Sequence, residues 1–202
     1  MIKNIVFDLG RVLIDFQPEQ LLQNLFADSD DREALLRIVF DSPEWLMLDR
    51  GVITQEEAVR RLSHQHPARA GQIKLVFDNW LPILTPIESS VELVRLFKER
   101  GYGLYVISNF HRAAFDFIWA RYDWLRLFDG LVISCETKTL KPEPAIYQTL
   151  LDTYHLNPRE CLFIDDSAAN VEGALLAGMH ALQYVTPAQL RESLRSQFQL
   201  LP

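Results

Sequence analysis

Four short segments of the chain carry side chains that can do chemistry together. Ile5-Val6-Phe7-Asp8-Leu9-Gly10 ends an apolar run on an aspartate, with a glycine two residues on. Cys161-Leu162-Phe163-Ile164-Asp165-Asp166 ends a second run on two aspartates. If both runs are strands of one parallel sheet, their carboxyl ends share an edge, and three carboxylates converge where no core residue neutralises them. Clustered like charges require a cation. An all-oxygen donor set points to magnesium, which takes one or two carboxylates, a carbonyl, water and a substrate phosphate. Val106-Ile107-Ser108-Asn109 adds a hydroxyl and an amide leading into a helix, suited to a phosphate oxygen. Lys141-Pro142 adds a point charge on a proline-stiffened turn before a helix over 145–150. Each segment alone is weak, because a strand-end Asp is commonly a turn former and Lys-Pro a loop. Their order is what makes a pattern.

The elements that must position these residues are legible from periodicity. Short apolar runs at 5–7, 104–107, 131–133, 161–164 and 181–185 are too short for helices and too continuous for half-exposed strands, as in a parallel sheet buried on both faces. Between them, 89–100 repeats Val91, Val94 and Phe97 at helical spacing and stops at Gly101, and 167–177 stops at Gly178. Strand alternating with helix implies a doubly wound, Rossmann-like α/β sheet. The stretch 16–85 breaks the alternation with helix after helix: after Pro18, over 33–40, after Ser42-Pro43, from the capping box Thr54-Gln55-Glu56-Glu57, and over 71–80 before Pro82 and Pro86. The expected organisation is a core of 1–15 and 86–202 with a helical cap, 16–85, lying as a lid over the carboxyl ends of the strands.

Composition narrows the partners. The 202 residues hold 20 Lys+Arg against 27 Asp+Glu, a net charge of −7. With no Lys/Arg-dense stretch, the basic footprint that nucleic acid or an anionic membrane requires is missing. The apolar runs fall far short of the roughly 18 residues of a membrane helix, and the first ten residues have no signal-peptide h-region, so a cytoplasmic protein is expected. Cys135 and Cys161 lack any finger spacing and read as buried reduced thiols. His64-Gln65-His66 reads as a solvated turn, Asp28-Ser29-Asp30-Asp31 as a helix N-terminus, and Trp45 and Trp80 as packed cap aromatics. Oligomeric state leaves no mark on the sequence.

FDLGRVLID, ISN, KPEPAIY and FIDDSAANVEGA, taken in order, resemble the four motifs of the haloacid dehalogenase-like hydrolase superfamily, and most closely its branch containing the alpha-D-glucose-1-phosphate phosphatase. The resemblance spans the whole chain. It implies a phosphomonoester hydrolase acting on a small phosphorylated metabolite, a sugar phosphate such as glucose 1-phosphate. Asp8 would attack phosphorus and form an aspartyl-phosphate. Mg²⁺ would be held by Asp8, Asp166, Asp165 and the Gly10 carbonyl. Ser108, the Asn109 N–H and Lys141 would bind the phosphoryl oxygens, with Asn170 holding the carboxylates or Lys141 in place. Two positions depart from the family pattern. Gly10 stands where most of these phosphatases have an aspartate that protonates the leaving group, which leaves Asp15, His111 or a metal-bound water to move that proton. Lys138 stands where many relatives have glycine, which puts the shape of that loop in question. The competing readings are a phosphate- and metal-binding module without turnover, and a metal-free 2-haloacid dehalogenase; the intact Asp165-Asp166 pair counts against the latter.

Overall fold

The computed structural model describes residues 1–201. Five strands, β1 (Asn4–Phe7), β4 (Gly103–Ser108), β5 (Gly130–Ile133), β6 (Cys161–Asp165) and β7 (His180–Gln183), form one parallel sheet in the order β5-β4-β1-β6-β7. The continuous apolar runs of β1, β4, β5 and β6 follow from burial on both sides. Ile5 and Phe7 pack into one layer with Leu104, Val106, Leu162 and Ile164, whereas Val6 packs into the other with Ile107, Val132 and Phe163. Helices α6 (Glu88–Glu99) and α11 (Pro187–Ser196) supply Val91, Val94, Phe97, Leu190 and Leu194 to the first layer. Helix α7 (Arg112–Arg121), which follows β4, adds Ala114 and Ile118 to it, and the short α8 (Ser134–Thr137) follows β5. Helices α9 (Pro144–Thr153) and α10 (Ala168–Leu176) supply Ile146, Tyr147, Leu150 and Ala174 to the second.

The topology puts β1 at the centre, with the chain winding to β4 and β5 on one side and to β6 and β7 on the other. Ligands of open α/β sheets bind beyond the carboxyl ends of the strands at such a switch point. In register, Phe7 faces Val106 of β4 and Ile164 of β6, so the residue after β1 lies level with Asp165 and close to Ser108.

Two short antiparallel strands, β2 (Ile14–Asp15) and β3 (Thr85–Pro86), form a neck from which a helical excursion leaves and returns. It comprises α1 (Pro18–Leu25), α2 (Ser29–Leu35), a π-turn over Leu36–Phe40, α3 (Pro43–Asp49), α4 (Gln55–Gln65) and α5 (Ala70–Asn79). Leu22, Leu35, Val39, Leu62, Ile73 and Phe77 are its buried centre. The starts follow capping chemistry: Asp28 accepts from the Asp30 and Asp31 amides, Ser42 from Trp45, and Thr54 from Glu57. The helix expected over 33–40 instead begins at Ser29 and gives way to the π-turn, and the last core strand stops at Gln183 rather than 185. The neck strands have only two residues each, too few to show a period. Both cysteines are buried free thiols, and burial pushes Cys161 up to about 11. No helix among the described residues is long and apolar enough to cross a membrane.

Candidate active site

Asp8 follows the last residue of β1, its amide donating to the Ile164 carbonyl of β6 at 2.9 Å. Three donors then fix its side chain: the Leu9 amide at 2.7 Å, Ser108 Oγ at 2.7 Å and Lys141 Nζ at 2.8 Å. All three engage Oδ1, which leaves Oδ2 free of these donors.

Lys141 is itself buried and bridges two carboxylates, reaching Asp165 Oδ2 at 2.6 Å. Its loop is held by a reciprocal pair: the Lys141 amide donates to Asn109 Oδ1 at 2.8 Å and Asn109 Nδ2 donates to the Lys141 carbonyl at 3.1 Å. The Asn109 side chain is thereby occupied in joining the loop after β4 to the loop before α9. Asp165 is fully buried, and its oxygens are also taken by the Ser167 amide at 2.8 Å and by Asn170 Nδ2 at 3.0 and 3.2 Å. Asn170 thus sits one turn into α10 as a clamp on Asp165. Asp166 is the less committed of the two acids and is only half-buried.

Carboxylate oxygens of Asp8, Asp165 and Asp166 all lie within 4.8 Å of one another. Burial, the largest influence, pushes the Asp8 carboxyl up to about 7; Lys141 opposes it and Asp165 adds to it. Asp166 is raised by burial and then by Asp165. Burial disfavours the Lys141 ammonium, but Asp8 and Asp165 outweigh that and hold it charged. Three carboxylates against one ammonium leave a formal charge of −2 on hard oxygen donors, which fits a single divalent cation such as Mg²⁺.

Beside this cluster opens a cavity of about 190 Å³ whose walls include Gly10, Arg11, Phe16, Trp45, Asp49, Trp80, Asn109 and His111. A Cβ built on Gly10 meets nothing within 4 Å, so the position where an aspartate is usual is open space. Of the expected proton carriers, His111 lines the cavity, whereas Asp15 sits in the neck strand β2 with its carboxylate on Gln17 and is not among the cavity residues. Trp45 and Trp80 pack on each other at 5.0 Å, as expected, and also line the cavity. Lys138 takes the left-handed conformation that suits glycine, with φ 61, and its Nζ donates to the Cys135 carbonyl at 2.7 Å and to the Gly51 carbonyl. The loop therefore keeps a glycine-like turn on a lysine that ties core to cap.

Two cavity residues were not foreseen from sequence. Arg11 holds a left-handed backbone, φ 57, in the tight turn after Gly10, where a non-glycine is uncommon. Asp49 closes α3, and its one sequence signal is an acid in the last helical turn, where the helix dipole disfavours negative charge.

The family model of the haloacid dehalogenase-like hydrolases matches residues 2–178. This chain belongs to that family. As a haloacid dehalogenase-like hydrolase it is 28% identical over 183 residues to a sesquiterpene phosphatase of Aspergillus oryzae, covering 89% of this chain and 88% of that one. It is 25% identical over 206 residues to a D-ribitol-5-phosphate phosphatase of Bacteroides thetaiotaomicron, covering 96% and 97%. Among solved structures it is similar to a haloacid dehalogenase-family enzyme of Bacteroides thetaiotaomicron in complex with magnesium and inorganic phosphate, with TM-score 0.72, 23% identity and coverage of 92% and 95%.

Proposed function

We propose that this hydrolase is a Mg²⁺-dependent phosphomonoesterase that works through an aspartyl-phosphate on Asp8. The observation that carries the reading is the convergence of the Leu9 amide, Ser108 and Lys141 on Oδ1 of Asp8, which leaves Oδ2 free to serve as the nucleophile. The relatives named as phosphatases support the reaction class. Asp8, Asp166 and the Gly10 carbonyl would hold the cation, with Asp165 behind them, and the cation supplies neutralisation of the charge between Asp8 and an incoming phosphate dianion.

Oδ2 of Asp8 attacks phosphorus while the ester oxygen departs in line. Ser108, the Asn109 amide and Lys141 hold the equatorial oxygens, over which the transition-state charge spreads. Water then attacks the phosphorus of the aspartyl-phosphate, returning Asp8 and releasing phosphate. Because Asp165, Asn109 and Asn170 fix Lys141 and its loop before substrate arrives, little reorganisation is left for the reaction itself.

The leaving group would extend into the cavity of about 190 Å³ beside Gly10. Its aromatic walls, Phe16, Trp45 and Trp80, suit the apolar face of a single sugar ring, which favours a sugar phosphate such as glucose 1-phosphate. The helical excursion acts as the cap that presents those walls. Phosphate release from a panel of hexose 1- and 6-phosphates, a pentitol phosphate, a terpenyl phosphate and p-nitrophenyl phosphate, with Mg²⁺ or EDTA, tests both levels. Mg²⁺-dependent release that Asp8→Asn abolishes is expected. Release from no ester by folded protein would overturn the phosphatase reading in favour of a binding module.

A further inference from the structure

Hydrolysis of a phosphomonoester with a poor leaving group needs a proton at the departing oxygen, and Gly10 has no side chain to supply it. The structure offers a different source. Asp49, at the end of α3, lines the same cavity as Gly10 and Asn109, so it faces the space into which a leaving group bound at Asp8 must extend. Its Oδ1 lies 3.2 Å from Nε2 of His111, and the two side chains are 15% and 4% exposed. The His111 ring packs against the Trp45 ring at 4.2 Å. Its Nε2 is a buried nitrogen with no hydrogen-bond partner, and in the neutral ring with the proton on Nδ1 it presents a lone pair. It is satisfied if the Asp49 carboxyl is protonated and donates its O–H to it.

We propose that Asp49 is the general acid for the leaving group, with His111 as the residue that positions it. This assignment rests on the phosphatase reading above. In the first step Asp49 gives its proton to the ester oxygen as the P–O bond breaks and Asp8 Oδ2 bonds to phosphorus, so the alcohol leaves neutral and Asp49 becomes a carboxylate. In the second step that carboxylate takes a proton from the attacking water, whose oxygen bonds to phosphorus as the acyl-phosphate P–O bond breaks, and both acids return to their starting states.

The surroundings keep Asp49 in the form this requires. Burial, first, and the charge of Asp8, second, push its carboxyl up to about 8, with Lys141 opposing. Arg11 is the other charged group on the cavity wall. Burial holds His111 far down, to about 3, so the imidazole is neutral and serves as an acceptor. The end of α3 is also pinned to the core. The Asp49 carbonyl accepts from Ser134 Oγ at 2.5 Å, Arg50 pairs with Glu143, and a Cβ on Gly51 would fall 2.3 Å from the Cys135 carbonyl, so only glycine allows that close approach.

The test is the leaving-group dependence of Asp49→Asn, an isosteric change, measured with a hexose 6-phosphate and p-nitrophenyl phosphate. General acids contribute roughly 10²–10⁴-fold, so the ratio of alkyl to aryl turnover is expected to fall by about 100-fold or more. Adding Gly10→Asp to Asp49→Asn is expected to restore much of that ratio, since the new side chain enters open space. In the wild type, the alkyl-to-aryl ratio should itself decline with rising pH as Asp49 loses its proton; His111→Phe, which removes the acceptor that favours the neutral acid, should move that decline to lower pH. Equal losses on both esters in Asp49→Asn, or a ratio in the wild type that ignores pH, would overturn the assignment while leaving the phosphatase reading intact. A wild type that hydrolyses neither ester would overturn both.

Discussion

The Asp49–His111 pair makes a prediction that needs no substrate: it shapes the stability of the protein with pH in a way that Asp49→Asn must alter. In the folded state Asp49 titrates near 8 and His111 near 3, so the pair holds one proton across that span; in the unfolded chain the ordinary values are 3.8 and 6.5. Between about pH 4 and 6.5 both states therefore hold one proton, on Asp49 when folded and on His111 when unfolded, and the pair contributes no slope. Above 6.5 the unfolded pair is empty while the folded pair keeps its proton. Stability is lost as pH rises from 6.5 to 8, by about 1.36 × 1.5, or roughly 2 kcal/mol. In Asp49→Asn only His111 remains, depressed when folded. That variant should lose no stability from this pair above 6.5, and should lose roughly 3 kcal/mol from pH 6.5 down to pH 4, as the unfolded imidazole takes up a proton the folded one refuses. Groups that do not interact with the pair cancel in the difference between the two proteins; Asp8, whose charge raises Asp49, adds to it. Urea unfolding midpoints of both, from pH 4 to 8.5 without Mg²⁺, read that difference. Parallel profiles would refute the single-proton account of the pair.

Two other outcomes follow from the buried charge cluster. Mg²⁺ at about 100 times its Kd should stabilise the protein by roughly 2.7 kcal/mol, a Tm rise of about 5–10 °C at roughly 2–4 °C per kcal/mol for a chain of this size; Asp166→Asn should shrink the rise, and an unshifted Tm in calorimetry with and without EDTA would contradict the cation site. Lys141→Met strands Asp8 and Asp165 without their shared ammonium and should cost about 3–5 kcal/mol at pH 7, less at pH 5 where Asp8 takes up its proton. An unchanged urea midpoint at pH 7 would show that the cluster does not depend on Lys141.

The parallel sheet was legible because its strands carry unbroken apolar runs. Runs such as Cys161–Ile164 have no polar alternation to hide them, because the strand is buried on both faces. The convergence of Asp8 with Asp165 and Ser108 was legible for the same reason: once strands are parallel, their carboxyl ends lie at one level whatever the order. The resemblance implies that Asn170 holds the carboxylates or Lys141, and its amide lies on Asp165. Asp15, a candidate proton carrier at the start of the linker to the helical excursion, lies in the neck strand with its carboxylate on Gln17.

What only the tertiary structure decided lies at the meeting of cap and core. Local sequence specifies strands, helix caps and the acids at strand ends, since each depends on residues within one or two turns of chain. Asp49 and His111 are far apart in sequence, on separate units, and nothing in either segment encodes their meeting. It depends on the docking of α3 against the loops after β4 and β5 through Ser134, Arg50 and Gly51. The protonation of Asp49 is decided there too, because desolvation and the field of Asp8 are properties of the assembled cavity and not of any stretch of sequence.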